Sequence, residues 1–370
     1  MNLSAINRSL LSAAFLLSGT IAMFAQTATP TPPADGDDGG VIKVNSRLVV
    51  VPVSVTNAAG EPVLGLKASD FKVAEENRPQ IVESVGDAEN VPLEIALLID
   101  VSGSINPLFE FEKKAAAQFL ETVMKPDDRA TIFLIGDKPV LAQARENAAE
   151  SAARVRTITI SGKFTAFYDT VSEAAKYLQK NAPIKSRRVI LALTDGEDNW
   201  SNLTRDAEKA TYRDVDVNKL TTETRNQLAA QTDRAHTNAQ TSILRGLQNA
   251  DTVFYAINPA GTSYKLNKIS LRAQKGMQAF ADQTGGTAFL PSFQPVTTKD
   301  ELQNSSNTRK NIATLDQIFK QLANELQAQY LVQYYSEGEF PLDKFVKLDV
   351  GLQSPAKLRI RSRQGYYVKN

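Results

Sequence analysis

Strand-like apolar segments alternate with helix-like segments through the middle of the chain, and this alternation is the strongest constraint on its fold. The run 93–99 is apolar apart from Glu94, which is typical of a strand buried on both faces. Similar strands are predicted at 130–135, 188–194 and 253–257, and helices at 109–124, 144–156, 170–179 and 271–283. This order predicts an α/β fold with a doubly wound, mainly parallel sheet.

The two flanks of this region have a different texture, with short strand-like pieces between turn residues. Segment 42–55 is rich in valine and is predicted as a strand, with Pro52 favouring a sheet edge. Strands are also predicted at 330–335, 346–352 and 358–367, where tyrosines alternate with apolar residues and are assigned to the core. The flanks are therefore predicted to form one accessory β-sandwich-like module.

The amino-terminal segment has the pattern of a secretory signal. Residues 1–25 contain Arg8, an apolar run at 10–24 and then Ala25 as a small residue for cleavage. Residues 26–41 are a proline- and glycine-rich flexible linker. We therefore expect an exported protein, periplasmic or extracellular, without a membrane span after cleavage; an uncleaved anchor is the alternative.

The remaining domain boundaries follow from the same patterns. The N-terminal β module covers 42–90, the α/β domain covers 91–295, and 296–370 supplies a C-terminal helix and strands that pack with the N-terminal module. Within the α/β domain, a polar insertion at about 200–250 has few large apolar residues, so we expect mobile helices that extend from the body.

Composition excludes several classes of function. The chain has 42 basic and 41 acidic residues, so its charge of +1 does not favour nucleic acid or an anionic membrane. It has no cysteine and a single histidine, His236. Thiolate sites and histidine-rich zinc sites are thereby excluded, and any metal must be held by oxygen. His236 lies among polar residues and is expected to be solvated.

Polar residues with metal-binding chemistry follow the predicted strands. Asp100, Ser102 and Ser104 come directly after the first apolar strand, Thr165 lies in the loop 161–170, and Asp195 follows the strand 188–194. Because ligands of open α/β sheets bind at the carboxyl ends of the strands, these loops are expected to converge. Hydroxyl groups with one or two carboxylates suit Mg²⁺ or Mn²⁺.

The alternative for these residues is purely structural. Serine, threonine and aspartate commonly cap helices, so Ser104 could cap the helix near 108, and Thr165 or Asp169 the next one. Glu197 and Asp198 are interpreted as solvated acids and not as ligands. Trp200 is expected to be exposed beside the site as a possible contact residue.

The three groups together resemble a known site. Asp100-Val-Ser102-Gly-Ser104, Thr165 before Ala-Phe-Tyr-Asp, and Thr194-Asp195-Gly are similar to the metal-ion-dependent adhesion site of von Willebrand factor type A domains. The resemblance spans 92 to about 292. It implies that the loops hold Mg²⁺ or Mn²⁺, with the open position filled by an Asp or Glu of a protein ligand. The polar insertion after Asp198 departs from this pattern.

The flanks are similar to a narrower group, the bacterial secreted VWFA-related proteins of the acidobacterial type. The resemblance lies in 49–55, in Asp70-Phe71, in Tyr334-Tyr335 and in the closing segment 363–366. The sequence therefore favours a metal-dependent binding or adhesion module that is not an enzyme. A structural envelope protein with a vestigial metal site and a metal-dependent hydrolase are the alternatives.

Overall fold

The computed structural model describes residues 47–102, 109–162, 164–213, 215–216, 219–259, 267–354 and 357–369. The predicted signal segment and linker lie outside the described residues, as does Ser104. Within the described ranges, no helix is both long and apolar enough to cross a membrane.

The strands and helices of the described residues are numbered in chain order. The strands are β1 (Arg47–Thr56), β2 (Phe71–Glu75), β3 (Arg78–Gln80), β4 (Val82–Gly86), β5 (Leu93–Asp100), β6 (Arg129–Ile135), β7 (Pro139–Glu146), β8 (Arg187–Leu193), β9 (Thr252–Ile257), β10 (Ala288–Phe289), β11 (Gln329–Ser336), β12 (Phe345–Leu352), β13 (Arg359–Ser362) and β14 (Gly365–Tyr367). The helices are α1 (Phe109–Val123), α2 (Ala148–Arg156), α3 (Phe167–Asn181), α4 (Asn202–Tyr212), α5 (Thr222–Asn249), α6 (Lys268–Thr284) and α7 (Glu301–Gln327).

A six-stranded sheet in the order β10-β9-β8-β5-β6-β7 forms the α/β domain. Its strands are parallel except β7, which runs antiparallel to β6 at one edge. Alternate residues of β5 enter two separate cores, one with α1, α2 and α7 and the other with α3, α5 and α6. Both faces of the sheet are therefore covered, and the prediction of a doubly wound, mainly parallel sheet is confirmed.

The flanks of the chain form two four-stranded antiparallel sheets, β13-β1-β11-β4 and β14-β12-β2-β3. The inward side chains of both sheets meet in one apolar core, which includes Val51, Val73 and Val346. Tyr330 and Tyr334 are also buried there, as expected from their alternation with apolar residues. The predicted sandwich of N- and C-terminal segments is thus present.

The prediction that Pro52 marks an edge strand is wrong. The strand β1 lies between β11 and β13. However, β13 pairs only with residues 53–56 of β1, so Pro52 has one neighbouring strand, where it pairs with Leu331. A residue without an N–H group is tolerated because the ladder on the β13 side stops before reaching it.

Two further predictions are wrong in detail. The sequence predicts one strand over 358–367. In the structure the chain turns after Ser362, and β13 and β14 belong to different sheets. The helix predicted to begin near Ala144 begins at Ala148, because the preceding residues belong to the edge strand β7. Alanine and glutamine in 142–144 carried no strand preference, and pairing with β6 decides their conformation.

The prediction that the helices of the polar insertion extend away from the body is wrong for α5. Its residues Ala235, Ala239, Ile243 and Leu247 are buried at successive four-residue steps, and the last three belong to the core beneath α3 and α6. This stripe is narrow and partly built from alanine, so a search for large apolar residues does not find it. The helix thereby forms the crossover between β8 and β9.

Candidate functional site

The candidate site begins at the shared edge of two central strands. Asp100 is the last residue of β5, and the neighbouring strand β8 ends one residue before Thr194. The Thr194 hydroxyl, which is fully buried, donates to Asp100 Oδ2 at 2.7 Å. The amide of Ser102 donates to the other carboxylate oxygen, Oδ1, at 2.9 Å. Both oxygens of Asp100 are therefore held in fixed positions.

Backbone hydrogen bonds bring the second loop to the same edge. The amide of Ala166 donates to the Gly136 carbonyl after β6, and the amide of Ser161 donates to the Val101 carbonyl after β5. Thr165, between them, is only 5% exposed. The loop is thus tied to the carboxyl ends of two strands.

The third loop is joined to the second one directly. The side chain of Asn199 accepts a hydrogen bond from the Thr165 amide at 2.8 Å. In return, the amides of Asn199 and Trp200 both donate to the Thr165 carbonyl at 3.1 Å. Thr165 and Asp195 therefore belong to one connected unit, as the strand-end rule predicts for loops at this edge of the sheet.

The turn that carries Asp195 depends on the glycine after it. Gly196 has φ of +76°, a conformation in which a side chain is strained. A Cβ atom at this position would lie 2.7 Å from the Met277 side chain of α6. The Gly196 amide donates to the Thr194 hydroxyl, and the Glu197 amide donates to Asp195 Oδ1. The turn orients Asp195 without using a basic side chain.

The electrostatics of the site are those of two half-buried acids. Burial raises the pKa of Asp100 above its usual range, although hydrogen bonds from Ser102 and Thr194 oppose this effect. Burial also raises the pKa of Asp195 to about 6, and repulsion from Asp100 and Glu197 contributes. No basic group contributes to either shift. The two carboxylates therefore lie close enough to repel each other in a poorly solvated place.

The structure brings together four of the five predicted ligands, Asp100, Ser102, Thr165 and Asp195, at one rim. The fifth, Ser104, lies outside the described residues. The capping alternative for Thr165 is wrong, because the N-cap position of α3 is Ala166 and no side chain caps it. Among the described residues no three acidic or histidine side chains group as metal ligands.

Three interpretations of neighbouring residues need correction, the first being that Asp198 is solvated. It is 6% exposed and accepts hydrogen bonds from the Tyr168 amide of α3 and from the hydroxyls of Ser201 and Thr204. Asp198 thus ties α3 to α4. Its position in a charged, polar segment gave no signal of this role. Glu197 accepts from the Ser270 hydroxyl of α6.

The second correction concerns His236, which is not a surface residue. It is 3% exposed on α5, contacts Glu208 of α4 at 3.1 Å through Nε2, and packs edge-on against Tyr168. Burial, with repulsion from Arg272, lowers its pKa to about 4. A neutral histidine in this position joins three helices behind the rim.

The third correction concerns Trp200, which is half-buried and not exposed. Its ring stacks on that of Phe164 with centroids 4.0 Å apart and planes at 17°. The guanidinium carbon of Arg205 lies 5.3 Å from the Trp200 ring centre. Sequence reasoning found Trp200 but missed both partners, since the two loops that carry Phe164 and Trp200 meet only in the fold.

Comparisons with known proteins agree with this architecture. The family model of the von Willebrand factor type A domain matches residues 95–197, which include β5, β8 and the three loops. Among curated protein sequences, none matches the chain.

Several solved structures are similar at low identity. A von Willebrand factor type A protein from Catenulispora acidiphila has 10% identity and a TM-score of 0.40 over 87% of this chain and 74% of its own. The PilB minor pilin of Streptococcus sanguinis has 12% identity and a TM-score of 0.41, over 64% and 62%. Proximal thread matrix protein 1 of the mussel byssus, with a zinc-occupied MIDAS motif, has 14% identity and a TM-score of 0.40, over 68% and 50%.

The family match lies on the strands and loops that build the rim, and the sheet order places those loops at one edge. The chain therefore contains a von Willebrand factor type A domain.

Proposed function

We propose that this chain is a cation-dependent protein-binding module, in which Mg²⁺ or Mn²⁺ at the rim grips an acidic side chain of a partner. The observation that carries the proposal is the pair Asp100 and Asp195. Both carboxylates are held in place by hydrogen bonds, both have raised pKa values, and no basic group is among the causes of either shift. Uncompensated acids in a fixed geometry are a common property of functional sites.

The donor atoms fit a hard divalent cation. Such an ion favours oxygen ligands, and carboxylates with neutral hydroxyls meet that requirement. Asp100 and Asp195 would supply negative charge, and Ser102, Ser104 and Thr165 would supply hydroxyl oxygens. When bound, the cation would provide a positive point charge that attracts an anionic group of the partner.

Binding is favoured over hydrolysis by the state of the nearby groups that could act as a base. Asp198 accepts from four donors, the amides of Tyr168 and Ser201 and the hydroxyls of Ser201 and Thr204, and Glu197 accepts from Ser270. His236 is buried between helices with its pKa lowered to about 4. A general base must reach the water it activates, and none of these three side chains is free to do so.

The cellular setting is part of the same proposal. We infer from the signal pattern in 1–25 and the linker that the module is exported and acts in the periplasm or outside the cell. The flanking resemblance to bacterial secreted proteins of the acidobacterial type supports this setting. The partner would be a protein that presents Asp or Glu on its surface.

Calorimetric titration of the full chain with Mg²⁺ and Mn²⁺ tests the cation site. We expect saturable binding to the natural chain and no detectable binding to Asp100→Asn, which keeps the shape of the side chain but removes its charge. Asp316→Asn, an exposed acid on α7 that is far along the chain from the rim loops, serves as the matched control and should bind like the natural chain.

Capture of the partner is then tested with a surface that carries acidic peptides. We expect retention in Mg²⁺ and release by chelator. Undiminished retention of the natural chain in chelator, or equal retention of Asp100→Asn and the natural chain in Mg²⁺, would contradict the proposal. A chain that folds but binds neither cation nor acidic peptide would instead support the structural alternative.

A further inference from the structure

The stacked pair Phe164 and Trp200 lies directly beside the candidate site. Phe164 precedes Thr165 in the chain, and the Trp200 amide donates to the Thr165 carbonyl. Consecutive Cα atoms are about 3.8 Å apart, so the Phe164 ring begins one residue from a candidate ligand. We call Phe164 and Trp200, with Arg205 over the Trp200 ring, the aromatic platform.

The platform is held in place before any partner arrives. The two rings are 4.0 Å apart and nearly parallel, and the backbone beneath them is joined by hydrogen bonds between Thr165 and Asn199. Arg205 contacts the Trp200 ring and donates to the Asn202 side chain. A rigid aromatic surface loses little conformational entropy on binding, which is why aromatic residues dominate the energetics of many interfaces.

Phe164 nevertheless leaves 41% of its surface in water. A single exposed apolar residue is ordinary on a protein surface and needs no explanation by itself. Here, however, the exposed ring is fixed by stacking and adjoins a rim that is otherwise lined with carboxylates and hydroxyls. The combination provides an apolar contact next to a site for an acidic group.

The charge near the platform favours an acidic partner. Among the ion pairs of the described residues, none involves Arg205, and its Nε atom is buried without a hydrogen-bond partner. Its positive charge is therefore not paired with a carboxylate of the described residues. A partner segment with further negative charge near its gripping residue would meet an attractive field.

We propose that the aromatic platform selects the partner, favouring segments in which an aromatic or large aliphatic residue is adjacent to the gripping Asp or Glu. This inference rests on the proposed function, since the acidic residue must first be held at the rim. Phe164 is one residue from Thr165, so the side chain next to the gripping residue can reach the exposed part of Phe164 where the partner segment bends over the rim. The acidic residue gives binding, and its neighbour gives specificity.

Two blocked hexapeptides test the proposal with the full chain in Mg²⁺. One has the sequence Gly-Ser-Asp-Phe-Ser-Gly and the other replaces Phe by Ala, and their affinities are measured by calorimetry. We expect the Asp-Phe peptide to bind about fivefold more tightly, a typical gain for an aromatic contact. Because Trp200 is the sole tryptophan of the chain, its fluorescence should change more with the Asp-Phe peptide.

The variant Phe164→Ala should reduce the affinity ratio of the two peptides to about one. The matched control is Ile184→Ala, which removes a side chain that is 93% exposed at the amino-terminal end of β8, at the opposite edge of the sheet. This control should keep the fivefold ratio. A ratio near one in the natural chain, or a ratio that survives in Phe164→Ala, would overturn the role of the platform.

The same experiment separates this inference from the proposed function. If both peptides bind equally and chelator abolishes their binding, the cation-dependent grip stands and only the platform is rejected. If neither peptide binds, or both bind equally well with chelator, the grip itself is rejected and the platform with it.

Discussion

The rim of the candidate site and the junction between the α/β domain and the sandwich both contain charged groups with little exposure to water. The two regions differ in the partners that these groups have. At the rim, Asp100 and Asp195 are held by amides and hydroxyls, and neither takes part in an ion pair of the described residues. At the junction, Arg187 is 3% exposed and donates to the carbonyls of Val91, Leu326 and Ala88. The first region is left with unbalanced charge, and the second is fully bonded.

A second arginine at the junction is also buried and bonded to its surroundings. Arg363, at the turn between β13 and β14, is 4% exposed and pairs with Asp251 at 2.6 Å. Removing one partner of a buried, bonded charge is strongly destabilising, and like charges without a counter-ion lower stability where they are poorly solvated. The difference agrees with the proposed cation site, where acids without a counter-ion would lower stability until an ion is bound.

The largest expected effect comes from breaking the junction. Arg187→Met should lower the free energy of unfolding by about 4 kcal/mol, because three buried carbonyls lose a charged donor. The measurement is the midpoint of urea unfolding. Arg359→Met removes an exposed arginine from β13 and should change stability by less than about 0.5 kcal/mol. Equal small effects in both variants would mean that the junction does not depend on Arg187.

Removing a charge at the rim should raise the stability of the chain, whereas removing one at the junction lowers it. Asp195→Asn keeps the acceptor for the Glu197 amide but removes the buried charge, so without metal it should raise stability by about 2 kcal/mol at pH 7.5. The folded-state pKa of about 6 lies above the ordinary value of 3.8, so ionisation costs stability as the pH rises through this window. The gain should therefore vanish below about pH 4.

In saturating Mg²⁺, the natural chain should become more stable than Asp195→Asn. A ligand that binds only the folded state stabilises it, so the natural chain should gain thermal stability with Mg²⁺ while Asp195→Asn does not. Destabilisation by Asp195→Asn in chelator would show that the carboxylate has a structural role, and the contrast between rim and junction would then be lost.

The parts of the fold that follow from local patterns could be predicted from the sequence. The run 93–99 is apolar on both faces apart from Glu94, and this pattern identifies a central strand of the sheet. The strands β11 and β12 and the helix α7 also follow from local patterns, whereas the division of 358–367 into β13 and β14 does not. Asp100, Thr165 and Asp195 were found because each follows a predicted strand or lies in a loop before a helix, and strand ends of a parallel sheet share one edge.

The remaining features depend on contacts between distant segments. Thr194 positions Asp100 across two strands, and Asn199 holds the amide of Thr165 from another loop. Their side chains have ordinary polarity, so the sequence does not distinguish them from solvated residues. The same reason explains the burial of His236, since only the packing of α4 and α5 removes it from water. Sequence identified the candidate ligands better than the residues that position them.

The smallest expected effect tests one of those positioning residues. Asn199→Ala removes the acceptor for the Thr165 amide, which should lower stability by about 1 kcal/mol but weaken Mg²⁺ binding several-fold, because the loop that presents Thr165 is loosened. Asn181→Ala is the matched control, since its side chain donates to the Tyr177 carbonyl at the far end of α3. It should cost a similar amount of stability without changing the affinity for Mg²⁺. Calorimetry with both variants measures the difference. If the two variants bind Mg²⁺ alike, Thr165 needs no support from Asn199, and the hydrogen bonds at the rim serve stability as they do at the junction.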